Sequence, residues 1–270
     1  RVQRHCPCPR RGPPQGMTGG FPVLMYHGVS AAALTSITPA LFEWQMSSLH
    51  RAGVRVLPLG EVVDRLRRDL PLPSRALAIT FDDGLRSVYD QAWPVLRRYG
   101  FPATVFLVAN HIDRDNGWPG QPPQVRPEPM LTWPQVRELH HEGLEMAAHT
   151  LDHPRLDLLA EDAVRAQVAG SRAAIEAQVG HVVPLFAYPY GRHTPAVRAI
   201  TGESFTGACT ARPGLVEDGS DPLRLDRIDI AYLTHPFLFR ALFNPAFPLY
   251  IAVRRLLRRA GSRLLARPWA

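Results

Sequence analysis

From Phe21 onward, short apolar runs alternate with amphipathic segments, and this rhythm limits what the chain can fold into more than any other feature. The runs at 23–26, 76–81, 103–108, 145–148, 185–188, 206–209 and 225–230 read as strands. Helical patterns at 39–52, 60–68, 86–99, 134–142, 161–179 and 195–201 fall between most of them. Short strands apolar on both faces and joined through helices are parallel β/α units, because the crossover helices cover the sheet. Repeated units of this size predict a closed or nearly closed α/β barrel. Thr132, with Pro134 in the first turn and Gln135 three residues after the threonine, predicts a capping box opening one of the helices. The longer Pro/Gly-rich stretch 113–129 reads as a surface loop, and there is no internal repeat. At 270 residues and 46% hydrophobic content the chain suits one barrel with a single core.

The net charge of +7 would ordinarily point to nucleic acid or an anionic surface, but its distribution changes that reading. Residues 1–16 hold four arginines and residues 231–270 hold seven, with no acid in either stretch. The intervening residues 17–230 carry 20 basic against 24 acidic residues, net −4. A nucleic-acid reader places its basic stripe on the folded domain, so no nucleic-acid partner is expected. Cys6, Cys8 and Cys209 are too few and too badly spaced for a disulfide framework or a four-ligand zinc site, and read as unpaired thiols. Residues 1–16 read as a disordered tail or an upstream translation artefact, 17–235 as the catalytic barrel and 236–270 as a basic extension. With no secretory apolar run and no membrane span, the expected location is cytoplasmic, peripheral at the inner membrane face if the extension binds lipid.

Three motifs carry chemistry. In Ile79-Thr80-Phe81-Asp82-Asp83-Gly84 an apolar strand ends in two adjacent carboxylates, at the barrel end where active sites collect. One such acid can bind a cation while its neighbour takes a proton from water. A strand-to-helix turn capped by aspartate explains one of the two acids but not both. In His149-Thr150-Leu151-Asp152-His153 two imidazoles four residues apart can converge on one cation, from a helical turn or a tight loop. In Phe186-Ala187-Tyr188-Pro189-Tyr190-Gly191 a strand runs into a turn that can aim a backbone N–H at a developing oxyanion.

With these motifs in this order, from about Phe21 to Ile230, the chain resembles the polysaccharide deacetylases, also described as the NodB-homology domain or carbohydrate esterase family 4. The resemblance implies a distorted (β/α)7 barrel of the α/β class that hydrolyses an acetamide on an N-acetylated sugar or polysaccharide. It further implies that Asp83, His149 and His153 hold one divalent metal ion, that Asp82 is the base, and that the Tyr190 amide helps hold the oxyanion. Zinc is the expected ion, and cobalt, manganese and nickel suit the same ligands. The partner is an N-acetylated glycan or sugar.

The sequence departs from the commonest pattern twice. Many members have an arginine where Ala187 stands, which orients the base, and many end the last strand with a histidine that supplies the general acid. Neither is present here. Arg227 on the last strand is a candidate replacement for the arginine, a structural salt bridge being the alternative. For the acid, His27 in Leu24-Met25-Tyr26-His27-Gly28 resembles the opening of deacetylases acting on poly-N-acetylglucosamine, and the first strand of a barrel neighbours the last. His235 has the right local spelling but falls beyond the strand, so His27 is preferred.

Between 251 and 266 Val253, Leu256, Leu257, Ala260 and Leu264 share one helical face and five arginines the other. Such a helix either lies on an anionic membrane through its apolar face or packs that face on the barrel with its arginines in solvent. Two competing functions stand beside the deacetylase: a non-haem iron oxygenase, which also uses two histidines and one carboxylate, and a non-catalytic glycan-binding relative. The β/α rhythm and the additional Asp82 argue against the first, and the intact Asp82, Asp83, His149 and His153 set argues against the second.

Overall fold

Each expected strand forms, and a ring of parallel pairings closes them into a barrel in the computed structural model, which describes residues 20–31, 36–121 and 126–264. In chain order the strands are β1 (Val23–Tyr26), β2 (Gly28–Val29), β3 (Ser36–Ile37), β4 (Arg55–Val56), β5 (Ala76–Phe81), β6 (Thr104–Leu107), β7 (Glu145–Ala148), β8 (Leu185–Ala187), β9 (Gly207–Pro213) and β10 (Leu225–Asp229). The helices are α1 (Pro39–Arg51), α2 (Leu59–Arg67), α3 (Trp93–Tyr99), α4 (Trp133–His141), α5 (Glu161–Val179), α6 (Pro195–Ser204), α7 (Pro236–Arg240) and α8 (Phe247–Leu264). The ring runs β1-β10-β9-β8-β7-β6-β5 and returns to β1, which pairs with β5 through Val23↔Ala78 to Tyr26↔Phe81. This is the closed α/β barrel that the pattern predicts and, with seven strands in the ring, the distorted barrel that the resemblance implies. Part of the distortion lies between β9 and β10, where Leu225 faces Cys209 but Arg227 faces Pro213. The two-residue strands β2, β3 and β4 were not foreseen, being too short to show a period.

Strand residues divide by parity, as successive side chains point to opposite faces. On β5, Leu77, Ile79 and Phe81 join the outer core against the helices, whereas Ala76 and Ala78 belong to the barrel interior. On β8, Phe186 faces out, and Leu185 and Ala187 face in. Leu59, Val62, Val63 and Leu66 of α2 join the interior cluster, which α2 thereby caps, while α1 and α3 to α6 pack around the outside. The inward strand positions Ala76, Ala78, Ala147, Ala187 and Cys209 are small, and Arg227 is buried among them over the Phe106 ring at 5.4 Å.

The capping box forms, with Gln135 N donating to Thr132 Oγ1 and Thr132 N donating to Gln135 Oε1 at 2.9 Å. The helix expected at 86–99 instead opens with a π-helical turn, Val88–Ala92, before α3. Pro94, at the start of α3, has no N–H to give that turn. At the C-terminus the helix expected from 251 begins earlier, at Phe247, and Phe239, Leu242, Phe247 and Ile251 are buried in the outer core. Cys209 is a buried free thiol, whereas Cys6, Cys8 and the expected N-terminal tail lie outside the described residues.

Candidate active site

Asp82 and Asp83 leave β5 at the C-terminal end of the barrel. Asp83 adopts φ +71°, a left-handed turn that sends the two neighbouring carboxylates to different partners. Asp82, 4% exposed, receives a bidentate pair of hydrogen bonds from Arg227 of β10, Nη1 to Oδ1 at 2.6 Å and Nη2 to Oδ2 at 2.7 Å. Arg227, 1% exposed, also donates from Nε to the Thr210 carbonyl at 2.8 Å and from Nη1 to Thr80 Oγ1 at 3.2 Å. Burial by itself would raise the pKa of Asp82. The charge and hydrogen bonds of Arg227, with smaller help from His149 and His27, outweigh it and hold the carboxyl below its ordinary value. Ala187 faces the same interior from β8, so the guanidinium expected from position 187 arrives here from β10.

Asp83, His149 and His153 are all buried and bring one ligand atom each within 4.8 Å of one another. The two histidine Nε2 atoms are 3.2 Å apart, and each lies 3.7 Å from Asp83 Oδ1. Ligands at ordinary zinc–nitrogen distances around a tetrahedral ion stand roughly 3.4 Å apart, so these residues fit one cation. His149 Nδ1 sits 2.7 Å from the Ala187 carbonyl; donating there fixes the tautomer that leaves Nε2 free to ligate. Burial, reinforced by His149, His27 and His111, pushes the His153 pKa well down and favours the neutral, ligating imidazole. Burial raises the pKa of Asp83, a cost that a bound cation would reverse.

The histidine pair sits in a tight loop after β7. His153 N donates to Thr150 Oγ1 at 2.9 Å. Leu151 N and Asp152 N both donate to Gln167 Oε1 on α5, at 3.0 Å each. Thr150, His153 and Tyr190 share the positive φ of Asp83, at +70°, +57° and +59°. Non-glycine residues in that region cost on the order of 1–3 kcal/mol each and persist where the surroundings enforce them, and these four surround one site.

The Tyr190 ring packs edge-on to His153 with centroids 4.7 Å apart. Gly191 beside it has φ +66°, and a Cβ there would fall 2.3 Å from the Ala211 nitrogen on β9. The pairing Tyr26↔Phe81, continued by Asp82 N donating to the Tyr26 carbonyl at 2.9 Å, puts His27 and Asp82 at corresponding positions just past the ends of β1 and β5. His235 is exposed instead, and its Nδ1 accepts from Phe237 N at 3.2 Å to cap α7.

The sequence model of the polysaccharide deacetylase family matches residues 69–204, half of the chain, a span that holds Asp82, Asp83, His149, His153 and Tyr190. The chain belongs to the polysaccharide deacetylase family. The family is one of carbohydrate N-deacetylases, so the expected hydrolase class holds. Among relatives, the Bacillus subtilis protein YxkH is 26% identical over 212 residues, which cover 78% of this chain and 71% of that one. The poly-beta-1,6-N-acetyl-D-glucosamine N-deacetylase of Escherichia coli K12 is 30% identical over 138 residues, covering 48% of this chain but only 20% of that enzyme. In structure, IcaB from Ammonifex degensii superposes with a TM-score of 0.73 at 28% identity, covering 85% of this chain and 97% of that one.

Three features of this family member escaped sequence reasoning. Trp118, in the stretch read as a plain surface loop, is 5% exposed and packs on His153 at 4.4 Å between ring centroids. An aromatic residue inside a Pro/Gly-rich loop was the available signal. Gln167 steadies the histidine loop from mid-helix, where nothing in the local sequence marks it. Among the described residues the buried Oε1 of Glu128 has no hydrogen-bond partner, and Glu128 lines a cavity of about 340 Å³ with Ser30, Arg86, Asp90 and Gln91. Burial raises the pKa of Glu128, and the further influences of Asp83 and His27 tie this cavity to the metal-ligand end of the barrel.

Proposed function

We propose that this protein removes N-acetyl groups from an N-acetylated sugar or polysaccharide, using Asp82 as base beside a divalent cation held by Asp83, His149 and His153. The observation that carries the reading is the pair of adjacent carboxylates with divided roles: Asp82 fixed by Arg227, Asp83 turned towards two ligating imidazoles. A divalent cation supplies Lewis acidity, which lowers the pKa of water and polarises an amide carbonyl; zinc is the proposed ion.

Asp82 accepts the proton of the attacking water on a carboxylate oxygen. Its Arg227 clamp holds the oxygens in place and keeps the acid ionised, ready as a base, against the burial that disfavours charge. The Tyr190 backbone amide, presented by the strained turn after β8, faces the negative charge that develops on the acetamide oxygen. His27 delivers the proton to the departing amine. Its place level with Asp82 supports this over His235, which is engaged in capping α7. Glu128 and its cavity offer hydrogen-bond acceptors to a sugar next to the reacting one.

An oxygenase reading gains nothing from an arginine-clamped base, and a purely binding role leaves the strained ligand loop without a purpose. Acetate release from a panel of N-acetylated glycans, measured after metal stripping and reloading, tests the reading. Activity is expected to return with zinc and to fall by about 10²-fold or more in Asp82→Asn with metal content unchanged. Near-normal kcat in that variant would place the base elsewhere.

A further inference from the structure

Helix α8 presents to the barrel the face that its sequence would assign to solvent. Phe247 and Ile251, each 3% exposed, anchor it, and the Tyr250 hydroxyl donates to the Tyr232 carbonyl at 2.7 Å. Arg254 lies over the Tyr232 and Tyr250 rings at 5.1 and 5.4 Å, and Arg258 donates to the Ala211 carbonyl. With these arginines turned to the barrel, Leu249, Val253, Leu256 and Leu257 face outward, 69%, 47%, 66% and 58% exposed. At 3.6 residues per turn the four form one stripe. Single exposed leucines are ordinary on a protein surface; a continuous stripe marks something that covers it.

Charge identifies the cover. Residues 231–270 contain seven arginines and no acid, so the segment that carries the stripe is strongly basic. A second copy docking by two-fold symmetry would set arginine against arginine. An anionic bilayer offers apolar depth to the leucines and phosphates to the guanidiniums together. No helix among the described residues is long and apolar enough to cross a membrane, so the contact is peripheral. Arg258 meets Ala211, the residue on which Gly191 of the Tyr190 turn packs, so this helix stands at the end of the barrel that holds the metal ligands.

We propose that the outward stripe of α8 docks the protein on an anionic lipid bilayer and holds the mouth of the barrel beside the headgroups. The test is vesicle co-sedimentation of the full chain, using phosphatidylcholine with or without phosphatidylglycerol. Binding is expected to be about 10-fold or more tighter with the anionic lipid and to weaken with salt. Replacing Leu249, Val253, Leu256 and Leu257 together by Gln should weaken it by about 10-fold or more, with the melting temperature and acetate release from a small soluble substrate unchanged. If the quadruple variant misfolds, Leu249→Gln with Leu256→Gln, and separately Arg255→Glu, give the same reading from smaller changes. Equal binding to both vesicle types, or undiminished binding by variants that stay folded, overturns the proposal. So does a dimer in analytical ultracentrifugation that the Gln substitutions convert to monomer, since the stripe would then serve self-association.

Discussion

Asp82 and Arg227 are 145 positions apart in sequence, yet form a buried pair in which, among the described residues, neither charge has another full counter-charge at hydrogen-bond range. Removing one partner leaves the other charged and desolvated. Arg227→Met is therefore expected to lower stability by about 3–5 kcal/mol in urea unfolding and to lower kcat, because the base loses both its orientation and its low pKa. Adding Asp82→Asn to that variant should recover much of the stability without restoring turnover; a simple sum of the two single costs would show that the pair is not coupled. The two histidine candidates separate just as sharply. His27→Ala should reduce kcat about 10²-fold with metal content kept, whereas His235→Ala should cost only the α7 cap, about 1 kcal/mol of stability, and leave kcat alone. The reverse pattern would transfer the acid role to His235.

At the scale of elements, the active site is a set of strained connections placed on the rigid ends of β5, β7 and β8. The turn after β8 is the tightest, since Gly191 packs against backbone and not against a side chain that could swing away. Gly191→Ala should therefore displace the Tyr190 amide, cutting kcat by about 10-fold or more while Asp83, His149 and His153 still bind metal. A fully active Gly191→Ala enzyme would remove Tyr190 from the oxyanion site. The loop at 113–129 teaches a related lesson: its composition foretold a surface loop, yet Trp118 within it covers His153. Proline and glycine content reports how a backbone turns and not what its one aromatic residue will meet.

For the whole molecule, a cation held by Asp83, His149 and His153 would tie the loop after β5 to the loop after β7, so metal binding is expected to stabilise the barrel itself. Zinc at about 100 times its Kd would add about 2.7 kcal/mol, a rise in melting temperature of about 5–10 °C for a domain of this size. Differential scanning fluorimetry of stripped and reloaded protein checks this, and Asp83→Asn should abolish the rise; an equal rise in the variant would place the ion elsewhere. The sequence by itself carried the seven main strands and their parallel β/α rhythm, because an apolar period is a local pattern, and its motifs, through their resemblance to the deacetylases, named Asp83, His149 and His153 as the candidate ligands. It left open which arginine steadies Asp82, since only the pairing of β10 into the closed barrel brings Arg227 to that carboxylate. It ranked His27 over His235, but only the β1–β5 register sets His27 level with Asp82. It showed that α8 has two faces, and the tertiary structure alone decided which meets the barrel, because aromatic rings and a strand carbonyl there hold Arg254 and Arg258 and leave Leu249, Val253, Leu256 and Leu257 outside.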